Sequence, residues 1–291
     1  MVGAGVLWGL AGGMLFSLIL PFGGLIWMRK RFCRSVKPFF IGMAVFAVFQ
    51  LFTRIPLLQA VLPLTGWFQQ MAQIPWLYSL FLGLTAGIFE ETGRYLAFRF
   101  VLKKERRFED GLLFGLGHAG MEMIALLGLT YLNNILLALM LNSGMLDTLP
   151  GLDAAAIELL TQQLSGITLP LIGVALYERL VTLALHMGFS VLVLYSVRAK
   201  RPVRIKEKSD SGVQVSYAVK EGNPFWFLLA VLLHGAIDSM IGLLPYYFSV
   251  EVWGLELVFT LFTALLAGGV FLLKRRFDAE DAGDAFLQNN H

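Results

Sequence analysis

Seven carboxyl and imidazole side chains, Glu90, Glu91, His118, Glu122, His186, His234 and Asp238, lie in stretches of this sequence otherwise apolar enough to cross a bilayer. Together they contain the parts that amide hydrolysis requires: a base that takes a proton from water, donors that stabilise the oxyanion, and an acid for the departing amine. The base would be Glu90 or Glu91. His118 and His234 would position the water or donate to the oxyanion, with Asp238 orienting His234, Glu122 orienting His118 or completing the water site, and His186 as a third donor from the far wall. The same residues could instead hold Zn2+, because two or three histidines and a carboxylate form a catalytic zinc set with an open position. The candidate ligands for that ion are His118, Glu122, His186 and His234.

The spacing supports a shared site. An ionised residue at mid-membrane costs roughly 2.5 to 3.5 kcal/mol on insertion scales, so each one needs a partner. Arg94 follows Glu90 by four residues and Glu91 by three, so it can reach back to either carboxylate along one helix face. His118 and Glu122, and likewise His234 and Asp238, share a face at the same four-residue interval. Glu178 and Arg179 precede His186 by about two turns and are expected to support it, Arg179 being the better aligned. Three of the four histidines fall in apolar segments; His291 ends the chain. Counted from the nearest basic cluster at about 1.5 Å per residue, Glu90, Glu91, His118, His186 and His234 lie roughly 15 to 20 Å deep. A lone intramembrane histidine is ordinarily a hydrogen-bonding contact between helices. Glu-Glu, His-xxx-Glu, His and His-xxx-Asp at one depth on four segments exceed what packing requires, since apolar side chains would hold a bundle at lower cost.

The elements that must position these groups are membrane helices. The chain is 57% hydrophobic and only 15% charged, against roughly 25% charged in soluble domains. This makes it an all-α polytopic membrane bundle of about seven helices and gives no basis for nucleic acid binding. The first apolar stretch, about Val6 to Met28, lacks the positive leader and is longer than the apolar core of a secretory signal, so it is expected to be the first transmembrane helix. A second runs from Pro38 to about Phe52, or on past Arg54, a third from near Leu77 to Phe100, and a fourth from Asp110 with a polar continuation through Asn133, Asn134 and Asn142. A fifth runs from near Thr168 to Arg198, a sixth from Pro224 to about Leu244, and a seventh from about Val250 to Leu273. Lys and Arg cluster at 29–37, 103–107, 198–208 and 274–276, whereas 56–75 and 147–168 contain none. The positive-inside rule therefore places the N-terminus outside and the C-terminus inside.

Asp153 ahead of AAAIELLTQQL predicts a capped amphipathic helix in one external connection. VRIKEK, SDSG and VQVSYAV predict a small cytoplasmic hairpin near 202–223. Residues 1–277 are expected to form one integral membrane domain, and 278–291 a disordered acidic cytoplasmic tail. The single cysteine, Cys33, excludes an intramolecular disulfide and a cysteine zinc cluster.

EETGR (residues 90–94), FGLGH (114–118) and HGAID (234–238) lie on three separate helices. In this order they resemble the YhfC family of intramembrane proteases, related to the CPBP/Abi superfamily of CAAX-processing and bacteriocin-immunity proteases. The resemblance covers the third to sixth helices. The superfamily patterns are Glu-Glu-xxx-Arg, Phe-xxx-His and His-xxx-Asn or His-xxx-Asp. The second and third match through Phe114, His118, His234 and Asp238, and the first has one residue fewer before Arg94. Glu122 and His186 lie outside these motifs. The resemblance implies an intramembrane peptidase of glutamic or metallo type, with Glu90 as the base and Glu91 as its close rival. A glutamate-activated water, which requires no cofactor, is favoured over Zn2+ because only two histidines fall in the motifs. The expected partners are the lipid bilayer and a membrane-associated protein or peptide substrate; neither the substrate nor the oligomeric state is specified. A proton-coupled transporter or channel using the same cluster is the alternative, although inverted repeats and paired broken helices are missing from the sequence. Facing histidines could also bind haem, for which close carboxylates make a poor pocket.

Overall fold

The computed structural model describes residues 1–148, 151, 153–198, 200–209 and 212–289, with the side chains of 147, 200–221 and 282–289 outside that description. Its frame is α1 (Ala4–Phe32), α2 (Lys37–Leu64), α3 (Gly66–Ala72), α4 (Pro75–Val101), α5 (Phe108–Asn142), α6 (Ala154–Ser165), α7 (Leu169–Arg198), α8 (Pro224–Phe248) and α9 (Val252–Asn289). Six of these helices are long and apolar enough to span a membrane. The pair α3 and α4, bent by 114° at their junction, brings the number to seven. The chain is thus an integral membrane helical bundle.

Helix α7 is the central element, packing against α5, α8 and α9. Much of its C-terminal half is buried, including Phe189, Val191 and Leu194, which no lipid-facing helix would be. Helix α4 lies along α8 and α2 along α5, so the two helix pairs flank α7. The basic ends gather at one end of the bundle. There Arg34 reaches Asp110 at 2.5 and 3.0 Å, and Arg198 donates to the Arg106 carbonyl at 2.7 Å, to Glu280 at 2.9 Å and to Asp281 at 2.7 Å.

Four local features match, refine or differ from the expected boundaries. Helix α2 continues past Arg54 to Leu64, with π-helical turns over Ala47–Arg54 and Leu57–Val61. Arg54 can remain in this helix because Leu82 and Thr85 of α4 accept its hydrogen bonds. The wider π turn also accommodates the ring of Pro56, which would crowd an α turn. Helix α6 starts as its cap requires, with Asp153 Oδ1 accepting from the Ala156 N–H at 2.8 Å. The hairpin consists of β1 (Lys200–Ser209) and β2 (Gly212–Glu221), antiparallel with Lys200 opposite Glu221; its turn residues 210 and 211 lie outside the described residues. Helix α9 continues to Asn289 through the stretch whose composition predicts disorder, and Glu280 and Asp281 within it are tied to Arg198. His291 lies outside the described residues.

Candidate active site

Small residues bring the charged ones together. A Cβ on Gly87 would lie 2.5 Å from the Val231 carbonyl oxygen and 2.9 Å from the Gly235 nitrogen, so α4 and α8 meet backbone to backbone. That contact sets Glu90 and Glu91, one turn beyond Gly87, against His234, the neighbour of Gly235. On α5, a Cβ at Gly115 would lie 2.6 Å from the His186 carbonyl oxygen, which draws α7 close. One turn further along α5, His118 faces the same centre.

Glu90 is at that centre. Its Oε2 lies 2.9 Å from His118 Nε2, 3.2 Å from Arg94 Nη2, 3.8 Å from His186 Nδ1 and 3.9 Å from His234 Nε2. Its Oε1 accepts from Gln50 of α2. Arg94, fully buried, also donates to Glu91, so it contacts both carboxylates. Arg94 Nη2 is 2.7 Å from His186 Nδ1. A guanidinium only donates, so His186 Nδ1 must accept and the ring proton sits on Nε2. That Nε2 lies 2.7 Å from Glu122 Oε2, and Glu122 Oε1 accepts from Arg179 at 2.7 Å. Arg179 bonds Glu178 as well. On the other side, His234 Nδ1 lies 2.6 Å from Glu91 Oε1. Phe189 stacks on His234 at 4.8 Å and 9°, fixing its plane, while Phe46 meets His118 edge-on at 5.2 Å.

All ten residues singled out in the sequence therefore join one network, but two of the expected pairings are different. Glu122 does not orient His118; it holds His186 on α7. Asp238 does not take the outward proton of His234, because Glu91 holds Nδ1 and Asp238 Oδ2 stands 3.6 Å from Nε2. The four-residue interval puts each pair on one face, but the helix crossings offer shorter, better aligned contacts than a neighbouring turn does. Sequence reasoning missed Gln50, Arg54 and Phe189. Arg54 alone left a signal, as a cation interrupting an apolar run.

The donor set fits a metal ion. Glu90, His186 and His234 each offer one ligand atom, all within 4.8 Å of one another and all buried. One carboxylate and two imidazoles with room for a further group is a catalytic zinc set. Each imidazole also has its other nitrogen on a carboxylate, Glu122 for His186 and Glu91 for His234, the arrangement that fixes the tautomer of a metal-binding histidine. A cavity of about 120 Å³ adjoins the cluster, lined by Glu90, Glu122, His186, His234, Asp238 and Phe259 among others.

Comparisons with known proteins agree with this geometry. Residues 16–206 match the model of the YhfC intramembrane metalloprotease family. The chain is 36% identical over 196 residues to the "Uncharacterized membrane protein YhfC" of Bacillus subtilis (strain 168), covering 67% of this chain and 75% of the relative. No solved structure matches. On the family match and this relative, the chain belongs to the YhfC intramembrane metalloprotease family.

Proposed function

We propose that the chain is an intramembrane metallopeptidase in which Glu90, His186 and His234 hold Zn2+ and hydrolysis takes place in the adjoining cavity. The observation that carries this reading is the convergence of those three donors within 4.8 Å. A bound zinc ion polarises a carbonyl and makes water a nucleophile near neutral pH. The chain's own groups prepare that chemistry. Glu91 accepts the Nδ1 proton of His234 and Glu122 the Nε2 proton of His186, leaving His234 Nε2 and His186 Nδ1 as acceptors turned toward Glu90. Arg94 balances Glu90 and Glu91, and its N–H to His186 Nδ1 would have to give way for a metal ion to take that lone pair. Asp238 Oδ2, at the cavity wall and 29% exposed, is placed to take the proton of the attacking water and return it to the departing amine. His118 holds Glu90 in place from α5.

A glutamate-activated water remains the second reading, with Glu90 as base. The hydrogen bonds that Glu90 accepts from Arg94 and Gln50, and its contact with His118 Nε2, bear on its lone pairs in both readings alike; the family match to metalloproteases favours the first. The distribution of Lys and Arg supports an orientation with the N-terminus outside.

Two measurements test the proposal: the metal content of purified native and His234→Ala protein, and the new protein termini in membranes of cells carrying native or Glu90→Gln, Glu91→Gln chains at equal folded abundance. Stoichiometric zinc lost in the His234 variant, with termini appearing only beside the native chain, is expected. Termini that require the glutamates in a protein that binds no metal would shift the assignment to glutamate catalysis. Identical termini together with proton-coupled solute flux in vesicles would replace the peptidase reading with transport.

A further inference from the structure

Arg54 is an intramembrane cation that has only neutral acceptors. Its Nε donates to Thr85 Oγ1 at 3.2 Å, its Nη1 to Gln50 Oε1 at 3.2 Å and its Nη2 to the Leu82 carbonyl at 2.6 Å. Among the described residues, no carboxylate comes within ion-pair distance of it. A guanidinium has five N–H donors, so one remains on each of Nη1 and Nη2. Arg94, Arg179 and Arg198, which are buried or half-buried, all contact carboxylates. An arginine in a membrane-spanning helix with no direct carboxylate contact is costly, and two free N–H groups leave it able to take an anion from outside the chain.

The surroundings say where that anion would come from. Arg54 lines a cavity of about 310 Å³ with Tyr78, Ser79, Gly83, Asp238 and Ile241. Asp238 and Ile241 also line the cavity beside His186 and His234, so the two cavities share a wall. The link to the metal set is short: Arg54 bonds Gln50, and Gln50 bonds Glu90. One side-chain amide separates the guanidinium from the centre, a gap that about two extended residues at roughly 3.3 Å each would cover.

We propose that Arg54 is the anchor for a peptide carboxylate, the free C-terminus of the substrate, and that the enzyme cuts close to that end. This rests on the peptidase reading and adds the polarity and end of its substrate. Arginine–carboxylate pairs are frequently bidentate and stronger than neutral hydrogen bonds, which suits a specificity pocket.

The test uses purified full-length protein in phosphatidylcholine nanodiscs. Its probes are an N-acetylated apolar tetrapeptide with a free C-terminal carboxylate and the same peptide as its C-terminal amide. Binding is followed at equilibrium and cleavage by mass spectrometry of the same samples. The acid should bind at least about tenfold more tightly than the amide. In Arg54→Gln the two should bind alike, with amide binding unchanged as the control for folding, and Arg54→Lys should retain an intermediate preference. Equal binding of acid and amide to the native protein, or a preference that survives in Arg54→Gln, overturns the anchor. So does a preference abolished by adding phosphatidylglycerol to the nanodiscs, which would give the cavity to a lipid phosphate. An acid preference that depends on Arg54 but yields no cut product from any peptide would leave the anchor standing and refute the peptidase reading alone.

Discussion

Replacing Glu122 by Gln isolates the role of a carboxylate outside the three family-like motifs. Glu122 Oε2 holds His186 Nε2 at 2.7 Å and Oε1 accepts from Arg179 at 2.7 Å. The substitution keeps the shape and removes the charge that makes His186 a better donor to a metal. Loss of such an outer carboxylate ordinarily lowers metal affinity about 10- to 100-fold, or roughly 1.4 to 2.7 kcal/mol. Folding should suffer less than at most buried pairs, because Arg179 keeps Glu178 as a partner. Competition for zinc against a chromophoric chelator in detergent measures the affinity, and thermal unfolding of the metal-free protein measures the stability. Glu178→Gln is the control: it touches Arg179 and not His186, so its zinc affinity should remain within about threefold of native. Native zinc affinity in Glu122→Gln would refute the reasoning, as would an equal loss in both variants, which would trace the effect to Arg179 and the fold instead of to His186.

Other substitutions separate positioning from support. Gly87→Val should force α4 and α8 apart, costing about 1 to 3 kcal/mol by overpacking; thermal unfolding and zinc content should fall together, since the same contact sets Glu90 against His234. Phe189→Ala removes a fully buried ring stacked on His234 and should cost about 3 to 5 kcal/mol in a denaturation midpoint series. Arg34→Ala leaves the buried Asp110 without its cation and should cost about 3 kcal/mol, with zinc affinity unchanged because the pair lies at the end of the bundle.

Much of this protein was legible in the sequence because bilayer physics leaves few choices. Apolar runs had to be helices, since unpaired backbone groups are intolerable in hydrocarbon, and ionisable residues inside those runs had to meet one another. Counting the rise per residue was enough to put Glu90, His118, His186 and His234 at one depth, and Asp153 announced its helix through its side chain. Rotation about each helix axis could not be counted in this way. Glu122 and Asp238 sit four residues after histidines, and only the crossings of α4, α5, α7 and α8 decided that His186 takes Glu122 and that His234 takes Glu91. Gln50 and Arg54 are a polar residue and a cation at the end of an apolar run until the π turn in α2 brings them against α4. The choice of donors was likewise tertiary: the motifs in the sequence contain His118 and His234, whereas the fold groups His186 and His234 with Glu90 and leaves His118 as a hydrogen-bonding neighbour. Depth follows from local geometry and composition, but facing depends on where small residues such as Gly87 and Gly115 let two backbones touch, and that requires both helices at once.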